Sequence, residues 1–447
     1  MKWLMALGLT LLIPAQLVSQ FWTDAGLQVE FAGQMGWLYV DPADNSLYCG
    51  GLLIENWSSP EQSFHYAVLQ DGEWSLGPPM DHYAWTFANY HDTLFMAGGF
   101  NYINDQFTSS VVYRTDSEWV SAGVFSDFVN QLKVVDDELY ALGAFTSIDG
   151  APIKGLAKWT GNGWVSMGLN CNFCNAIDLV EYNGRLVVSG TLTFPGYRHI
   201  VQLVNGEWLP VGQEGIMGGL SAGGPVAVYQ GDLFLGGLIH LSAGNAGHAL
   251  MRWDGSAWHQ VGEGLQDENN AAGQSIKVRG LLVHDDLLYV CGGFSYAGHV
   301  PAERLATWDG TQWCSVGGTY GDREIYSMIF YNDTLYTAPG GEVVIDGVPI
   351  HGVAKFTGAA YENHCSGSTS VAEPFVSPPV HLVALGTGLY VLQGTWNKGQ
   401  LSLYNSTGQL VVTHSVQSGV PLDLGALPRG VYVARLPDGS SQRFVCQ

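Results

Sequence analysis

An all-β fold, a seven-bladed β-propeller followed by a small C-terminal β-sandwich, is what the sequence predicts, and three observations predict it. A second-strand motif recurs, reading LYCGG from Leu47, LFMAGG from Leu94, LYALGA from Leu139, LVVSG from Leu186, LFLGG from Leu233, LYVCGG from Leu288 and LYTAPGG from Leu335, at spacings of 47, 45, 47, 47, 55 and 47 residues. A fourth-strand marker, tryptophan followed four residues later by glycine, accompanies it at Trp119, Trp164, Trp208, Trp258 and Trp313. Composition agrees: 59 glycines supply turns, 15 Trp, 21 Tyr and 18 Phe favour strands, and only 13% of residues are charged. Repeats of about 40–50 residues built of four short strands are the signature of propeller blades, and seven copies make seven blades.

Taken in order, residues 1–19 place Lys2 ahead of an apolar run from Trp3 to Ile13 and end at Ser19-Gln20, the pattern of a secretory signal peptide with a run too short for a membrane span. No later stretch approaches about 18 uninterrupted apolar residues, so no transmembrane segment is expected in the exported chain. Trp22 and Gly26 then have fourth-strand spacing with no strands of their own before them. Trp22 precedes Trp74 by 52 residues, the place of a fourth strand in the preceding blade, which in a closed ring is the last one. A strand given by the N-terminus would seal that blade's edge. Tyr361, standing where the last copy should have its tryptophan, competes for the same place.

Within a blade, Asx-rich turns such as His284-Asp285-Asp286 join the first two strands and Asp309-Gly310 joins the last two, residue types that accept the positive φ of tight hairpins. The propeller is assigned to 20–365. Residues 366–380, SGSTSVAEPFVSPPV, have four serines and three prolines and read as a linker. Residues 381–447 supply the short alternating strands GLYVLQG, QLSLYN, QLVVTH, VPLDL and GVYVARL of the sandwich.

The formal net charge is −23 at pH 7, and because residues 381–447 hold four Lys/Arg against two Asp/Glu, the acid lies in the propeller. Such a field repels phosphate backbones and argues against nucleic acid as a partner. Seven cysteines cannot all pair within one chain. Cys171 and Cys174 can close a local loop, Cys314 and Cys365 are a second pair that the sequence leaves open, and Cys49 and Cys291 read as small buried residues.

A site is expected in the segments joining one blade's fourth strand to the next blade's first. The longest, GQEGIMGGLSAGGPVA from Gly212 and GEGLQDENNAAGQSIKV from Gly262, carry Glu214, Glu263, Asp267 and Glu268. Carboxylates converging there suit Ca²⁺ or acid/base chemistry, since both need oxygen atoms from different blades; solvated loop acids are the plain alternative. No cofactor is otherwise implied, and no metal site is assigned. Aromatic residues of the same segments, Tyr83, Trp85 and Phe128 with Phe125 and Phe173, can stack on sugar rings, anchor a protein ligand or pack into the core. There is no H-E-x-x-H, G-x-S-x-G, P-loop or dinucleotide fingerprint.

GGFSYAG with LATWDGTQWCSVG, and GAFTSIDGAPIKGLAKWTGNGWVSMG, resemble the kelch-like propeller repeats of the family of the fungal polarity marker Rax2 and of many bacterial exported proteins. At the other end, Tyr404, Asn405, Gly408, Gln409, Asp423, Leu424, Leu427, Pro428, Gly430, Val431 and Tyr432 match the aromatic-N-x-x-G-Q-L-V and D-L-x-x-L-P-x-G-V-Y pattern of type A C-terminal sorting domains of Bacteroidota type IX secretion cargo. The Pro-Asn-Pro opening and the basic tail of that family are absent. The resemblance implies passage across the outer membrane, with the secretion machinery as partner through 381–447. The function expected is then a secreted or cell-surface binding or adhesion propeller, non-catalytic, with a glycan or protein ligand. The alternative is a secreted polysaccharide hydrolase or lyase using the loop carboxylates.

Overall fold

The computed structural model describes residues 21–27, 30–31, 36–54, 63–116, 118–212, 216–241, 249–267, 276–318, 320, 323–357, 364–365, 380–386, 389–394, 398–405, 409–417, 420–435 and 441–446. The signal-peptide reading, the linker up to residue 379 and Tyr361 fall outside them. Every regular element among the described residues is a strand, and the chain divides into two units, Met1–Gly367 and Ser368–Gln447.

Antiparallel meanders of four strands succeed one another along the first unit. Sheet I comprises Trp37–Val40, Leu47–Ile54, Ser63–Gln70 and Glu73–Leu76; sheet II, Ala84–Tyr90, Thr93–Gly98, Val111–Arg114 and Trp119–Ser121; sheet III, Val129–Val135, Glu138–Gly143, Leu156–Trp159 and Trp164–Ser166. Sheet IV comprises Phe173–Tyr182, Arg185–Phe194, Tyr197–Val204 and Glu207–Pro210; sheet V, Ile216–Tyr229, Asp232–Leu241, Leu250–Trp253 and Trp258–Gln260; sheet VI, Val278–His284, Leu287–Gly292, Leu305–Trp308 and Trp313–Ser315. In sheet VII the strands Ser327–Tyr331, Thr334–Ala338 and Ala354–Phe356 are completed by Trp22–Asp24, with Trp22 opposite Phe356 and Asp24 opposite Ala354. The first hairpin of sheets II, III, VI and VII turns on two consecutive positive-φ residues, such as Asp136-Asp137 and Asp285-Asp286, the geometry that matches strand twist.

First strands touch first strands in the order I to VII, and that of VII touches that of I. Polar side chains staple neighbours along this inner circuit: Leu132 N donates to Thr86 Oγ1 (3.1 Å), Val226 N to Asp178 Oδ2 (3.0 Å) and Leu38 N to Ser327 Oγ (3.1 Å).

The repeated tryptophans make a second, outer circuit. The indole of each fourth strand is packed against the preceding sheet, and its Nε1 donates to a carbonyl just beyond that sheet's fourth strand: Trp164 to Ala122, Trp208 to Met167, Trp258 to Val211, Trp313 to Val261 and Trp22 to Gly317, at 2.8–3.1 Å. Trp74 donates to Ala25 O (3.0 Å), so the N-terminal strand both gives and receives this bond. Trp119 is the exception and reaches Tyr66 Oη (3.2 Å) instead. Here the Trp74–Gly77 marker of sheet I is one residue short, and the Tyr66 ring lies against Gly77.

Three features differ from the sequence expectation. The segment from Gly212 is not a long loop: Ile216–Tyr229 is a single strand whose far end pairs with the extended second strand, Ile216 opposite Leu241 and Met217 opposite His240. Phe173 begins a strand rather than lying in a loop. Beyond sheet VII the chain returns to the outer edge of sheet VI, where His364–Cys365 adds a fifth strand with Cys365 opposite Cys314. Cys314 is disulfide-bonded, as are Cys171 and Cys174 to each other, whereas Cys49 and Cys291 are buried free thiols.

The second unit holds a three-stranded sheet (Val380–Gly386, Leu389–Gly394, Pro421–Asp423) and a four-stranded one (Lys398–Asn405, Leu410–Gln417, Gly430–Arg435, Ser441–Cys446). Tyr390 of the first shares a core with Leu401, Leu403, Val416 and Tyr432 of the second. The sequence-motif residues act structurally here. Asn405 Oδ1 accepts from Gln409 N (2.9 Å), Asp423 Oδ1 from Gly425 N (2.8 Å), and Tyr432 Oη donates to Pro428 O (2.8 Å), while Leu424 is buried. Gly408 is outside the described residues.

Candidate functional site

The repeated glycine of the second strand locates a site, because it marks where another segment must come close. A Cβ on Gly98 would lie 2.0 Å from Tyr83 O, on Gly143 2.3 Å from Phe128 O, on Gly190 2.3 Å from Asn175 O and on Gly292 2.1 Å from Lys277 O. Each glycine therefore admits the backbone of a residue entering the first strand of its own sheet. Two residues further on, the pairing register slips, leaving Trp85, Asn130, Ile177 and Arg279 as the extra residue of a β-bulge. Bulges re-aim side chains beside sites. Since the first strands touch in a closed order, these entry and bulge residues form one rim around their common axis.

Neighbouring members of the rim are in contact. Trp37, opening sheet I, lies 5.8 Å from Trp85, and Trp85 meets Phe128 edge-to-face at 5.2 Å. His82 packs on Tyr83 (4.3 Å) and Trp85 (6.2 Å), and Tyr83 meets His65 at 5.5 Å. Burial pulls the His65 imidazole down to about 4, with His82 adding to the effect, so this ring is neutral near pH 7. Next in order, Asn130 Nδ2 donates to Asn175 Oδ1 (2.6 Å) and Ala176 O (2.7 Å). On sheets VI and VII, Arg279 pairs with Glu324 at 2.6 Å and lies 4.6 Å over the Tyr326 ring. Lys277 stands beside them, and burial followed by the Arg279 charge pulls its amine down to about 8.

The structure thus brings together Tyr83, Trp85 and Phe128 from the sequence-predicted set, all half-buried. Phe125 is instead a core residue, 5% exposed, packed on Phe145 and Trp164, and Phe173 is exposed on its own strand. Two of the four predicted carboxylates, Glu263 and Asp267, lie among the described residues. Glu263 sits on an exposed turn near Gly298, Asp267 accepts from Ser295 Oγ (2.8 Å), and Glu214 and Glu268 lie outside the described residues. Among the described residues no three His, Cys, Asp or Glu side chains stand close enough to hold a metal. Sequence reading missed Trp37, Lys277, Arg279, Glu324 and Tyr326. The signal available was register, since each is found by counting back from the second-strand motif through the hairpin.

A separate groove of about 590 Å³ runs between sheets II and III, lined by Tyr90, His91, Tyr113, Asp149, Trp159 and Asn162. It carries no member of the rim.

No protein-family model and no curated protein matches the chain. Among solved structures, it is similar to the extracellular domain of a hybrid two-component system from B. thetaiotaomicron (TM-score 0.44, 9% identity, 93% of this chain and 56% of that one). It is also similar to PorZ, an essential surface component of the type IX secretion system of Porphyromonas gingivalis (TM-score 0.36, 11% identity, 92% and 65%), and to BamB from Moraxella catarrhalis (TM-score 0.20, 12% identity, 80% and 92%). The chain spans about 56% and 65% of the first two. At TM-scores below 0.5 these likenesses leave the function to be argued from the rim itself.

Proposed function

We propose that the protein is an exported, cell-surface or released binding module, a seven-bladed propeller whose rim of entry and bulge residues takes the ligand, followed by a small β-sandwich that directs secretion. The observation that carries the reading is the Trp37–Trp85–Phe128 arc. Three aromatic residues from three sheets meet at the one place every first strand enters, and all stay partly open to solvent. Aromatic rings so placed offer large apolar area at little entropic cost. The two circuits of inter-sheet hydrogen bonds support the ring, and the disulfides at Cys171–Cys174 and Cys314 suit an oxidising compartment. Binding rather than catalysis fits a rim in which Arg279 and Glu324 satisfy each other's charge at 2.6 Å.

Affinity electrophoresis of the full-length protein through gels containing soluble polysaccharides tests the site. Trp85→Ala is expected to weaken whatever retardation the wild type shows by at least about tenfold, the loss of roughly 1.4 kcal/mol or more from one stacked ring, while Tyr113→Ala in the separate groove leaves it unchanged. The opposite pattern would move the site to the groove.

The sorting reading rests on the motif resemblance and on the way those motif residues build turns and core in the second unit. Deleting residues 381–447 is expected to leave the propeller folded and trapped in the periplasm of a type IX-competent host, as followed by cell fractionation. Arrival of the truncated protein at the surface would remove the sorting role.

A further inference from the structure

The rim is chemically two-sided. Its arc on sheets I to III is aromatic, and the polar arc on sheets VI and VII holds Lys277, Arg279, Glu324 and Tyr326. In the cyclic contact order sheet VI stands three places from II one way and three from III the other, so the two arcs face each other across the axis. Arg279 is engaged by Glu324 and by the Tyr326 ring. Lys277 is not: it is half-buried, and among the described residues its ammonium has neither a hydrogen bond nor an ion pair. Even partial burial of an unpaired cation has a cost. This chain has 40 Asp and Glu against 17 Lys and Arg, so an acidic neighbour was the easiest remedy available to its sequence.

We propose that the rim binds an acidic saccharide, its pyranose faces lying on the Trp37–Trp85–Phe128 arc and a uronate carboxylate on the Lys277 ammonium. The proposal rests on the rim being the binding site. A sugar acid answers each feature at once: apolar C–H faces for the rings, a carboxylate for the Lys277 ammonium, and hydroxyls for Glu324 and the Asn130–Asn175 amides. An apolar peptide would leave the Lys277 ammonium without a partner. A polyphosphate would meet few free cations inside a strongly acidic surface.

Titration calorimetry of the full-length protein with tetramers of galacturonate, glucuronate and mannuronate, and with the same tetramers after carboxyl reduction, tests the proposal. At least one acid tetramer is expected to bind, its reduced form at least tenfold more weakly, and binding of the acid should weaken with added NaCl. Lys277→Met should remove that tenfold preference while leaving the weak binding of the reduced tetramer, which Trp85→Ala should abolish. Equal binding of acid and reduced forms, both lost in Trp85→Ala, would overturn the acidic ligand and keep the rim as the site. Binding insensitive to Trp85→Ala would overturn the rim itself, and no binding by any acid tetramer would overturn the sugar-acid assignment.

Discussion

Removing residues 20–28 is expected to lower the thermal midpoint of the protein by on the order of 10 °C. Trp22 is completely buried, among Tyr320, Phe356 and Leu335 in the core between sheets VI and VII. Losing a buried tryptophan alone costs about 3–5 kcal/mol. The deletion also removes the strand ladder to Ala354–Phe356, the Nε1 bond to Gly317 and the carbonyl of Ala25 that Trp74 uses. Asp24 goes with it, whose Oδ2 accepts from both the backbone N and Nδ1 of His351 in the adjoining hairpin. Trp22→Phe separates the contributions: it keeps most of the burial but leaves Gly317 O without its donor, a loss of about 1–3 kcal/mol. A midpoint unchanged by the deletion would mean that the outer strand of sheet VII is dispensable and that ring closure rests on the inner strands.

This closure was legible from sequence because it is carried by spacing. The tryptophan marker repeats for a reason that all copies but Trp119 share, a carbonyl of the preceding sheet within reach of Nε1, and a lone marker near the start of the chain competed with Tyr361 for the sheet lacking one. The hairpin turns were legible for the same reason, since two consecutive Asx residues at positive φ are a local requirement. What was not legible is equally local in cause. Ile216–Tyr229, with four glycines and a proline, has the composition of a loop but is held extended by its partner strand, so pairing overrode propensity. The return of His364–Cys365 to sheet VI depends on an edge that only the assembled sheets present.

The rim was half legible. Tyr83, Trp85 and Phe128 stood out as aromatic residues in connecting segments, and the structure places them side by side. Lys277 and Arg279 did not, because a lysine and an arginine two residues apart in a strand read as ordinary solvated charges. Only the bulge turns Arg279 toward Glu324 and the close approach at Gly292 fixes the backbone of Lys277 against its own sheet. The acidic residues drew attention instead because they lie in the longest connecting segments; of these, Glu263 is on an exposed turn, Asp267 is bound by a serine, and Glu214 and Glu268 are outside the described residues.

Lys277→Met is expected to stabilise the protein near pH 7, by up to roughly 3 kcal/mol, or about 5 °C in midpoint. The amine is held at about 8 in the folded state, below its ordinary 10.5, by burial and by Arg279 on its own strand, against the opposing pull of Glu324 from the segment entering sheet VII. A depressed lysine means that the unfolded chain binds its proton more tightly, so the charged amine disfavours folding at every pH below about 8. As pH rises from about 8 to the ordinary 10.5 the folded protein gives up that proton first and the penalty fades. Wild-type stability should therefore climb toward that of Lys277→Met across this window. Tyrosines raised by burial, Tyr39 to about 12 among them, contribute equally in both proteins, so the difference between the two isolates the lysine. Denaturant unfolding at pH 7 and pH 10 measures it: a gap that narrows with pH supports a costly charge kept at the rim, and a variant no more stable than wild type at pH 7 would show that the ammonium is already compensated. A residue that destabilises the fold yet sits opposite an open aromatic arc is what a ligand-binding cation looks like before its ligand arrives, because the carboxylate that would neutralise it has to come from outside the chain.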